Sequence, residues 1–245
     1  MKTNGPALLM TRPRDAAQRF LDLLPADLLS DLCVIHSPLM EITALPSTLK
    51  LDDTTTVVFT SGAGVRVASE RMAERQVAYC VGQRTTEAAL SAGWDARFCG
   101  ETADALVASL LAARPSGTLL HLHGEYTRGA VADRLAEGGL SCRGRVIYRQ
   151  DLQPLSAEAE QALGAQIPLI VPLFSPRTAA HFASLCPKTA HLTLIAMSDA
   201  VAQAMPRLQS GALKVSKAPT AEAMADLLRD VAQSVLWVET DAPKE

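Results

Sequence analysis

Val57-Val58-Phe59-Thr60-Ser61, followed by Gly62-Ala63-Gly64, returns later in the chain as Val171-Pro172-Leu173-Phe174-Ser175, followed by Pro176-Arg177-Thr178. Each copy is a short apolar run that ends at a serine. Such a run is typical of a buried strand, and the serine is a preferred residue for capping the helix that follows. This stretch therefore predicts a strand–turn–helix unit that occurs twice.

Two further segments are repeated after this one, in the same order. From Ser61 the steps to Gly82 and Thr102 are 21 and 20 residues, and from Ser175 the steps to Ser198 and Thr220 are 23 and 22 residues. Strands that alternate with helices over short loops indicate parallel sheets with helices on both faces. We therefore predict an α/β fold of two similar doubly wound parallel-sheet domains, joined by a two-stranded linker, with a cleft between them.

The order of the units predicts where one domain interrupts the other. The second copy lacks a strand–helix unit equivalent to 119–137, and the N-terminal segment 8–24 can supply it. Domain A then comprises 1–36 plus 152–245, and domain B is the inserted block 45–144. The segments 37–44 and 145–151 become paired linker strands. A simple tandem pair of domains is the alternative.

The composition of the chain argues against a nucleic-acid-binding protein and against a membrane protein. The chain has 245 residues, of which 48% are hydrophobic, 20% are charged and 4% are aromatic, with a net charge of −3. Few aromatic residues and no basic stretch argue against nucleic-acid binding. The N-terminus lacks the apolar core of a signal peptide, and no apolar run approaches the ~20 residues of a membrane helix. We expect a cytoplasmic monomer with no membrane partner, whose five scattered cysteines are reduced thiols.

Small, hydroxylic and basic residues follow the predicted strands. In doubly wound sheets ligands bind beyond the carboxyl ends of the strands, where helix N-termini offer unpaired N–H groups to anions. Arginines crowd the same turns, which favours a small molecule with several negative charges. The alternative is ordinary helix capping with solvated arginines. The candidate substrate-binding residues are Arg12, Ser61, Gly62, Gly82, Thr85, Arg128, Ser175, Arg177 and Ser198.

Several other kinds of site are disfavoured. The run 62–67 begins like a GxGxxG motif, but Val67 stands where the third glycine belongs, so a dinucleotide site has weak support. His121 and His123 lie two apart on a predicted strand and share a face. Since no further ligand lies near them in the sequence, we expect no metal site.

Tyr148 is the distinctive catalytic candidate. It ends the run Val146-Ile147-Tyr148-Arg149, where the predicted linker returns. A phenol there can donate a proton or a hydrogen bond to a ligand. An amphipathic tyrosine that only packs at a domain joint is the alternative, and Tyr126, in a loop, stays open as a second candidate.

At these positions the sequence resembles the uroporphyrinogen-III synthase family along essentially its whole length. Each matching motif is short, but their order and spacing are specific together. The motifs are Thr11-Arg12-Pro13, Phe59-Thr60-Ser61 with Val65, Val81-Gly82 with Thr85, Gly124 with Arg128, Val146-Ile147-Tyr148-Arg149, Phe174-Ser175-Pro176 and Ala218-Pro219-Thr220.

The resemblance implies a lyase of tetrapyrrole and heme biosynthesis. Members of the family close the linear tetrapyrrole hydroxymethylbilane into a macrocycle, with loss of water and inversion of the last pyrrole ring, and need no cofactor or metal. Tyr148 matches the tyrosine proposed to assist departure of the hydroxyl group. Ser61, Gly82, Thr85 and Ser175 match loops that bind the substrate largely through backbone groups.

The chain also departs from the family pattern. Family members often have glycine at position 198 and one or two threonines at positions 200 and 201, where this chain has Ser198, Ala200 and Val201. A non-catalytic two-domain protein that binds or senses a polyanionic small molecule is therefore the alternative function. A phosphate-receiving regulatory domain is disfavoured, since it needs clustered acidic residues at strand ends and Asp199 stands alone.

Overall fold

The computed structural model describes residues 6–46, 51–52, 55–127, 129–165, 167–187, 191–205, 208 and 212–240, with side chains up to residue 236. The chain divides into two compact units. Unit 1 consists of Met1–Glu41 and Leu152–Glu245, and unit 2 is the intervening block Ile42–Asp151.

Strands and helices alternate through most of both units. In chain order the elements are β1 (Ala7–Met10), α1 (Arg14–Leu21), α2 (Ala26–Asp31), β2 (Cys33–His36), β3 (Met40–Ala44), β4 (Thr55–Phe59), α3 (Gly62–Arg71), β5 (Val77–Cys80), α4 (Gln83–Ser91), β6 (Asp95–Phe98), α5 (Ala103–Ala113), β7 (Thr118–Gly124), α6 (Val131–Glu137), β8 (Cys142–Leu152), α7 (Ala157–Gly164), β9 (Leu169–Leu173), α8 (Pro176–Leu185), β10 (Leu192–Ala196), α9 (Asp199–Gln203), β11 (Ala212–Val215) and α10 (Ala221–Thr240).

Unit 1 is built on a five-stranded parallel sheet of order β11-β10-β9-β1-β2. Helices pack against both faces and form two apolar cores. One core includes Leu9, Val171 and Phe182, and the other includes Phe20 and Leu228. Because both faces are covered, the central strands are apolar throughout, as parallel sheets require.

Unit 2 repeats this arrangement with a permuted chain. Its sheet has the order β3-β8-β7-β4-β5-β6, and the ladders from β8 to β6 are parallel. β7 lies beside β4 as β1 lies beside β9, so the order β8-β7-β4-β5-β6 matches β2-β1-β9-β10-β11. Both sheets therefore have the predicted α/β class, with parallel strands and helices on two faces, and that prediction is confirmed.

β3 adds an antiparallel strand to the outer edge of β8. The N–H of Leu45 donates to the Ile147 carbonyl at 2.9 Å, and the N–H of Gln153 donates to the Leu39 carbonyl at 3.1 Å. The residue numbers rise on one strand as they fall on the other, which is the antiparallel pattern. Both segments that connect the units therefore belong to one ladder.

Pro172 lies inside the central strand β9, where proline is rare. Proline has no N–H to donate to a neighbouring strand. The ladder between β1 and β9 is correspondingly short, since it pairs only Leu169 and Ile170 with β1, whereas the ladder with β10 continues to Leu173. The sequence thus limits the pairing on one side of this strand.

Some element boundaries differ from those expected from the sequence. In the N-terminal segment 8–24, which was predicted to be a strand–helix unit, the helix ends at Leu21, and a second helix, α2, begins after Pro25. In the predicted strand–helix unit 119–137 the helix begins only at Val131, because Gly129 and Ala130 have positive φ angles of 87° and 41°. These left-handed residues extend the preceding loop, since an α-helix cannot contain them.

Candidate functional site

A cavity of about 320 Å³ opens at the carboxyl ends of β4, β5 and β7, next to the middle of β8. All the described residues that line it belong to unit 2. The carboxyl edge is where doubly wound sheets bind ligands. The polar groups that line it include Thr60, Ser61, Glu101, His123, Tyr126 and Tyr148.

Tyr148 reaches the cavity from β8 with only 4% of its surface exposed. The pairing of β7 with β8 shifts register between His123 and Gly124, which places Gly124 opposite Tyr148. A Cβ atom at Gly124 would lie 2.4 Å from Cε2 and 2.9 Å from the hydroxyl oxygen of Tyr148. The absent side chain at Gly124 therefore makes the space in which the phenol ring lies.

The Tyr148 hydroxyl is held by Ser61. Their oxygens are 3.0 Å apart, and Ser61 Oγ also accepts a hydrogen bond from the Gly64 N–H at 3.1 Å as the N-cap of α3. A serine hydroxyl has one proton and two lone pairs. Ser61 can therefore cap the helix and still donate a hydrogen bond to the Tyr148 oxygen. The phenolic proton then remains available for a hydrogen bond to a ligand.

The duplicated serine in unit 1 has a different partner. Ser175 Oγ accepts from the Thr178 N–H at 3.2 Å, and it donates to the Thr178 hydroxyl at 2.8 Å. Unit 2 has Gly64 at the equivalent position, where a Cβ atom would lie 3.0 Å from the Leu122 carbonyl oxygen. Because Gly64 has no hydroxyl, it does not compete with Tyr148 for Ser61.

His121 contacts Thr60, which lines the cavity, and it is buried, with 1% of its surface exposed. Its Nε2 lies 3.0 Å from the Thr60 hydroxyl, and its ring centroid lies 4.6 Å from that of His123. Burial, with a smaller contribution from the charge of His123, lowers the pKa of His121 from 6.5 to about 3. His121 is therefore neutral, and it ties the end of β4 to β7.

This burial predicts a pH-dependent stability. The folded pKa of His121 lies below that of the unfolded chain, so between pH 6.5 and 3 only the unfolded state takes up the proton. Acidification from pH 7 to 5 should therefore cost about 2 kcal/mol of unfolding free energy through this group. Urea denaturation at both pH values measures the loss. His121→Gln, whose amide can still reach Thr60, should reduce this loss of unfolding free energy. An equal loss in both proteins would contradict the assignment of the pH dependence to His121.

Three other predicted residues of unit 2, Gly62, Gly82 and Thr85, lie at the same sheet edge but are not among the described residues that line the cavity. Gly82 begins α4 with a φ angle of +76°, and its N–H donates to the Gly100 carbonyl at 2.9 Å. Thr85 is buried in the first turn of that helix. Gly62 is exposed at the start of α3, and a Cβ atom there would meet nothing within 4 Å. Arg128 lies outside the described residues.

In unit 1 the predicted residues also follow the strands of the sheet. The guanidinium of Arg12, after β1, lies 4.1 Å from the centroid of the Phe174 ring, after β9. Such a cation–π contact holds the charge over the aromatic ring at this end of the sheet. Ser175 caps α8, Arg177 lies in its first turn, and Ser198 precedes the five-residue helix α9.

The departures from the family pattern differ in their consequences. Val201 is 1% exposed and packs in an apolar core of unit 1. A threonine there would bury a hydroxyl group among apolar side chains. Ala200 is exposed. The replacement at 200 therefore removes a group that a ligand could reach, whereas the one at 201 contributes to packing.

The cavity also contains polar residues that the sequence analysis did not select. They reach it from the loop after β6 and from the ends of β7 and β8, and they include Glu101, Thr102, His123, Thr127 and Gln150. Their position just beyond predicted strands was the available signal, but the same signal occurs at every strand end. Among the described residues, no group of three or more His, Cys, Asp and Glu side chains could hold a metal ion.

Comparison with solved structures shows which known proteins have a similar fold. A crystal structure of uroporphyrinogen-III synthetase from Helicobacter pylori 26695 is similar, with 16% identity, 92% of this chain and 99% of that chain covered, and a TM-score of 0.60. A mutant uroporphyrinogen III synthase from the extremely thermophilic bacterium Thermus thermophilus matches with 16% identity, 94% and 100% coverage, and a TM-score of 0.47. No curated protein matches the chain significantly.

The family model described as uroporphyrinogen-III synthase HemD matches residues 31–226. This range includes Ser61, Tyr148 and every described residue that lines the cavity. Because the match spans well over half of the 245 residues, the chain belongs to the uroporphyrinogen-III synthase family.

Proposed function

We propose that Tyr148 and Ser61 perform the acid step of the family's reaction in the cavity of unit 2. The chain is a lyase of tetrapyrrole biosynthesis that closes hydroxymethylbilane with inversion of the terminal pyrrole ring. This family membership favours a synthase over a non-catalytic binding protein. The observation that carries the mechanism is the 3.0 Å contact between the Ser61 and Tyr148 hydroxyl groups beside the cavity.

The volume of the cavity suits part of the substrate. At about 320 Å³ it lies at the lower end of the range for ligand pockets, roughly 300–1,000 Å³. A tetrapyrrole has four rings with acetate and propionate groups, so one substituted ring and its hydroxymethyl carbon are a suitable occupant. We place the hydroxymethyl group next to the Tyr148 hydroxyl.

In the first step the carbon–oxygen bond of the hydroxymethyl group breaks. Tyr148 gives its proton to the departing hydroxyl, which leaves as water, and the pyrrole nitrogen supplies electrons to form a cationic azafulvene. Ser61 stabilises the phenolate by donating a hydrogen bond to its oxygen, while the N-terminus of α3 offers a partial positive charge nearby.

The substituted carbon of the terminal ring then attacks the azafulvene and gives a spiro intermediate, which fragments and recombines with the ring inverted. The phenolate recovers a proton when the newly bonded pyrrole carbon loses its hydrogen. The net change is the loss of one water molecule. Holding the two reacting carbons together accounts for most of the acceleration, because positioning alone can contribute ~7–11 kcal/mol.

The remaining predicted residues are proposed as binding groups for the substrate carboxylates. Gly62, Gly82 and Thr85 lie where α3 and α4 begin, and helix N-termini favour anions. In unit 1 the proposed binding residues are Arg12, Ser175, Arg177 and Ser198. Arg128 is proposed from the sequence alone.

We also propose that the chain works as a cytoplasmic monomer. All five cysteines fall within the described residues, and each is a free thiol, as expected for a reducing compartment. No described helix is both long and apolar enough to cross a membrane. Size-exclusion chromatography with light scattering tests the oligomeric state.

Purified protein supplied with freshly prepared hydroxymethylbilane tests the function directly. Spontaneous closure gives the uninverted isomer, so the oxidised porphyrin products are separated and identified. Formation of the inverted isomer above the spontaneous background is expected. Only the uninverted isomer, produced at the background rate, would overturn the proposed function.

Tyr148→Phe is expected to lower kcat for the inverted isomer about 10- to 100-fold without abolishing it. The effect of losing this acid reaches ~100-fold or more only if proton transfer limits the rate. The ring still fills the space beside Gly124, so the fold should persist. Single-turnover measurements with isomer analysis give the rate. Full activity in the variant would remove Tyr148 from the mechanism.

Two further variants separate the roles of the hydroxyl groups. Ser61→Ala removes both a helix cap and the partner of Tyr148, whereas Ser156→Ala removes a comparable cap, bonded to the Ala159 N–H at 3.2 Å, from α7. Both should lose about 1 kcal/mol of stability. Only Ser61→Ala should also slow turnover. Tyr79→Phe, on β5, is the control for loss of a phenol.

A further inference from the structure

We propose that His123 binds a carboxylate group of the substrate through its Nε2 atom. This inference rests on the proposed function, because it assigns a binding residue in the same cavity. His123 is half-buried at the end of β7, and it lines the cavity together with Ser61 and Tyr148. The sequence analysis considered it only as a metal ligand.

The imidazole is held in one orientation. Its Nδ1 lies 2.8 Å from the Gly124 carbonyl oxygen, which can only accept, so Nδ1 carries a proton. Nε2 makes no hydrogen bond within the described part of the chain. A Cβ atom at Gly144 would lie 2.9 Å from Nε2, so the glycine on β8 leaves the space that this nitrogen occupies.

The charges around His123 point to a carboxylate as its ligand. Among the described residues that line the cavity, His123 is the one side chain with a basic nitrogen, and Glu101 is the one carboxylate. The neighbouring ring of His121, whose centroid lies 4.6 Å away at a tilt of 34°, is neutral because burial lowers its pKa to about 3. A pyrrole ring with acetate and propionate groups would be repelled near Glu101. Next to His123, a carboxylate oxygen can accept a hydrogen bond from Nε2 when both ring nitrogens carry a proton.

A role in binding is favoured over a second acid for the leaving hydroxyl. The Ser61–Tyr148 pair already supplies a proton donor, and it lies on the opposite face of β7 from His123. Tyr148 packs with the core formed by α3 and α4, whereas Leu119, on the same face as His123, packs with the core of α5 and α6. A carboxylate at His123 would fix the ring whose hydroxymethyl group meets Tyr148.

His123→Gln tests this proposal by removing the charge and keeping a polar side chain. We expect the KM for hydroxymethylbilane to rise about tenfold, because a hydrogen bond to a charged group is lost, while kcat changes less than about threefold. His123→Arg, which restores a cation, should recover part of the lost affinity. His191→Gln, the same change at an exposed histidine of unit 1, is the matched control.

The outcomes separate this inference from the proposed function. If the wild-type protein forms the inverted isomer but His123→Gln has an unchanged KM, the carboxylate contact is wrong and the function stands. A fall in kcat at unchanged KM would also overturn it, since His123 would then act in the chemical step. Gly144→Ala, which crowds Nε2 without removing it, should also raise KM, as His123→Gln does.

Discussion

Gly124→Ala is expected to slow formation of the inverted isomer on the order of 100-fold, because misplacement of a catalytic group by about 1 Å can have an effect of this size. The new Cβ atom would lie 2.4 Å from Cε2 and 2.6 Å from Cζ of Tyr148. Gly124 is itself held in the β7–β8 ladder, so the phenol ring must move. Both its contact with Ser61 and its place beside the cavity would be lost.

A double-mutant cycle shows whether this effect acts through Tyr148. In a Tyr148→Ala background the alanine at 124 finds space, and adding Gly124→Ala should change the rate by no more than about threefold. Gly164→Ala, where a Cβ atom meets nothing within 4 Å, is the control for a glycine replacement. Additive effects in the cycle would show that Gly124 acts on something other than the phenol.

Gly100→Ala should produce the largest loss of stability. Gly100 has a φ angle of +108°, which L-residues rarely adopt, and a Cβ atom there would lie 2.5 Å from the Ala105 Cβ atom on α5. Backbone strain of ~1–3 kcal/mol adds to overpacking of ~1–3 kcal/mol, so we expect a loss of roughly 2–6 kcal/mol in unfolding free energy. Urea denaturation measures it, and retained stability would show that the loop repacks.

Two matched variants separate the strain from the clash. Gly93 has a φ angle of +86°, but its nearest neighbour is the Arg75 Cγ atom at 3.7 Å, so Gly93→Ala should show only the backbone cost. Gly164→Ala has neither problem and should be neutral or slightly stabilising. The expected order of unfolding free energies is therefore Gly164→Ala, Gly93→Ala, Gly100→Ala, from highest to lowest.

Much of the fold could be predicted because its determinants are local. Apolar runs such as 57–59 and 169–173 form buried parallel strands, and Ser61, Thr102 and Ser175 cap the helices that follow. Boundaries were less predictable where backbone geometry decides them. Nothing in the residue type of Ala130 indicates the left-handed conformation that delays α6.

The candidate site was predicted only in part. Tyr148 and Ser61 were selected as separate candidates, and the structure brings their oxygens to 3.0 Å across 87 residues of sequence. Glu101 and His123 were not selected as substrate-binding residues, because a polar residue after a strand can equally be solvated. Their shared cavity depends on the order of β4, β5, β7 and β8 in the sheet.

The sequence by itself determined the duplicated α/β pattern, the α/β class of both sheets and the position of each capping serine. These features depend on hydrophobic periodicity and on hydrogen bonds between residues close in the chain. Only the tertiary structure decided that Gly124 makes space for Tyr148, that Ser61 bonds to it, and that His123 has a fixed imidazole beside the same cavity. The physical reason is strand order and register, which bring together side chains from distant segments and which no local pattern encodes.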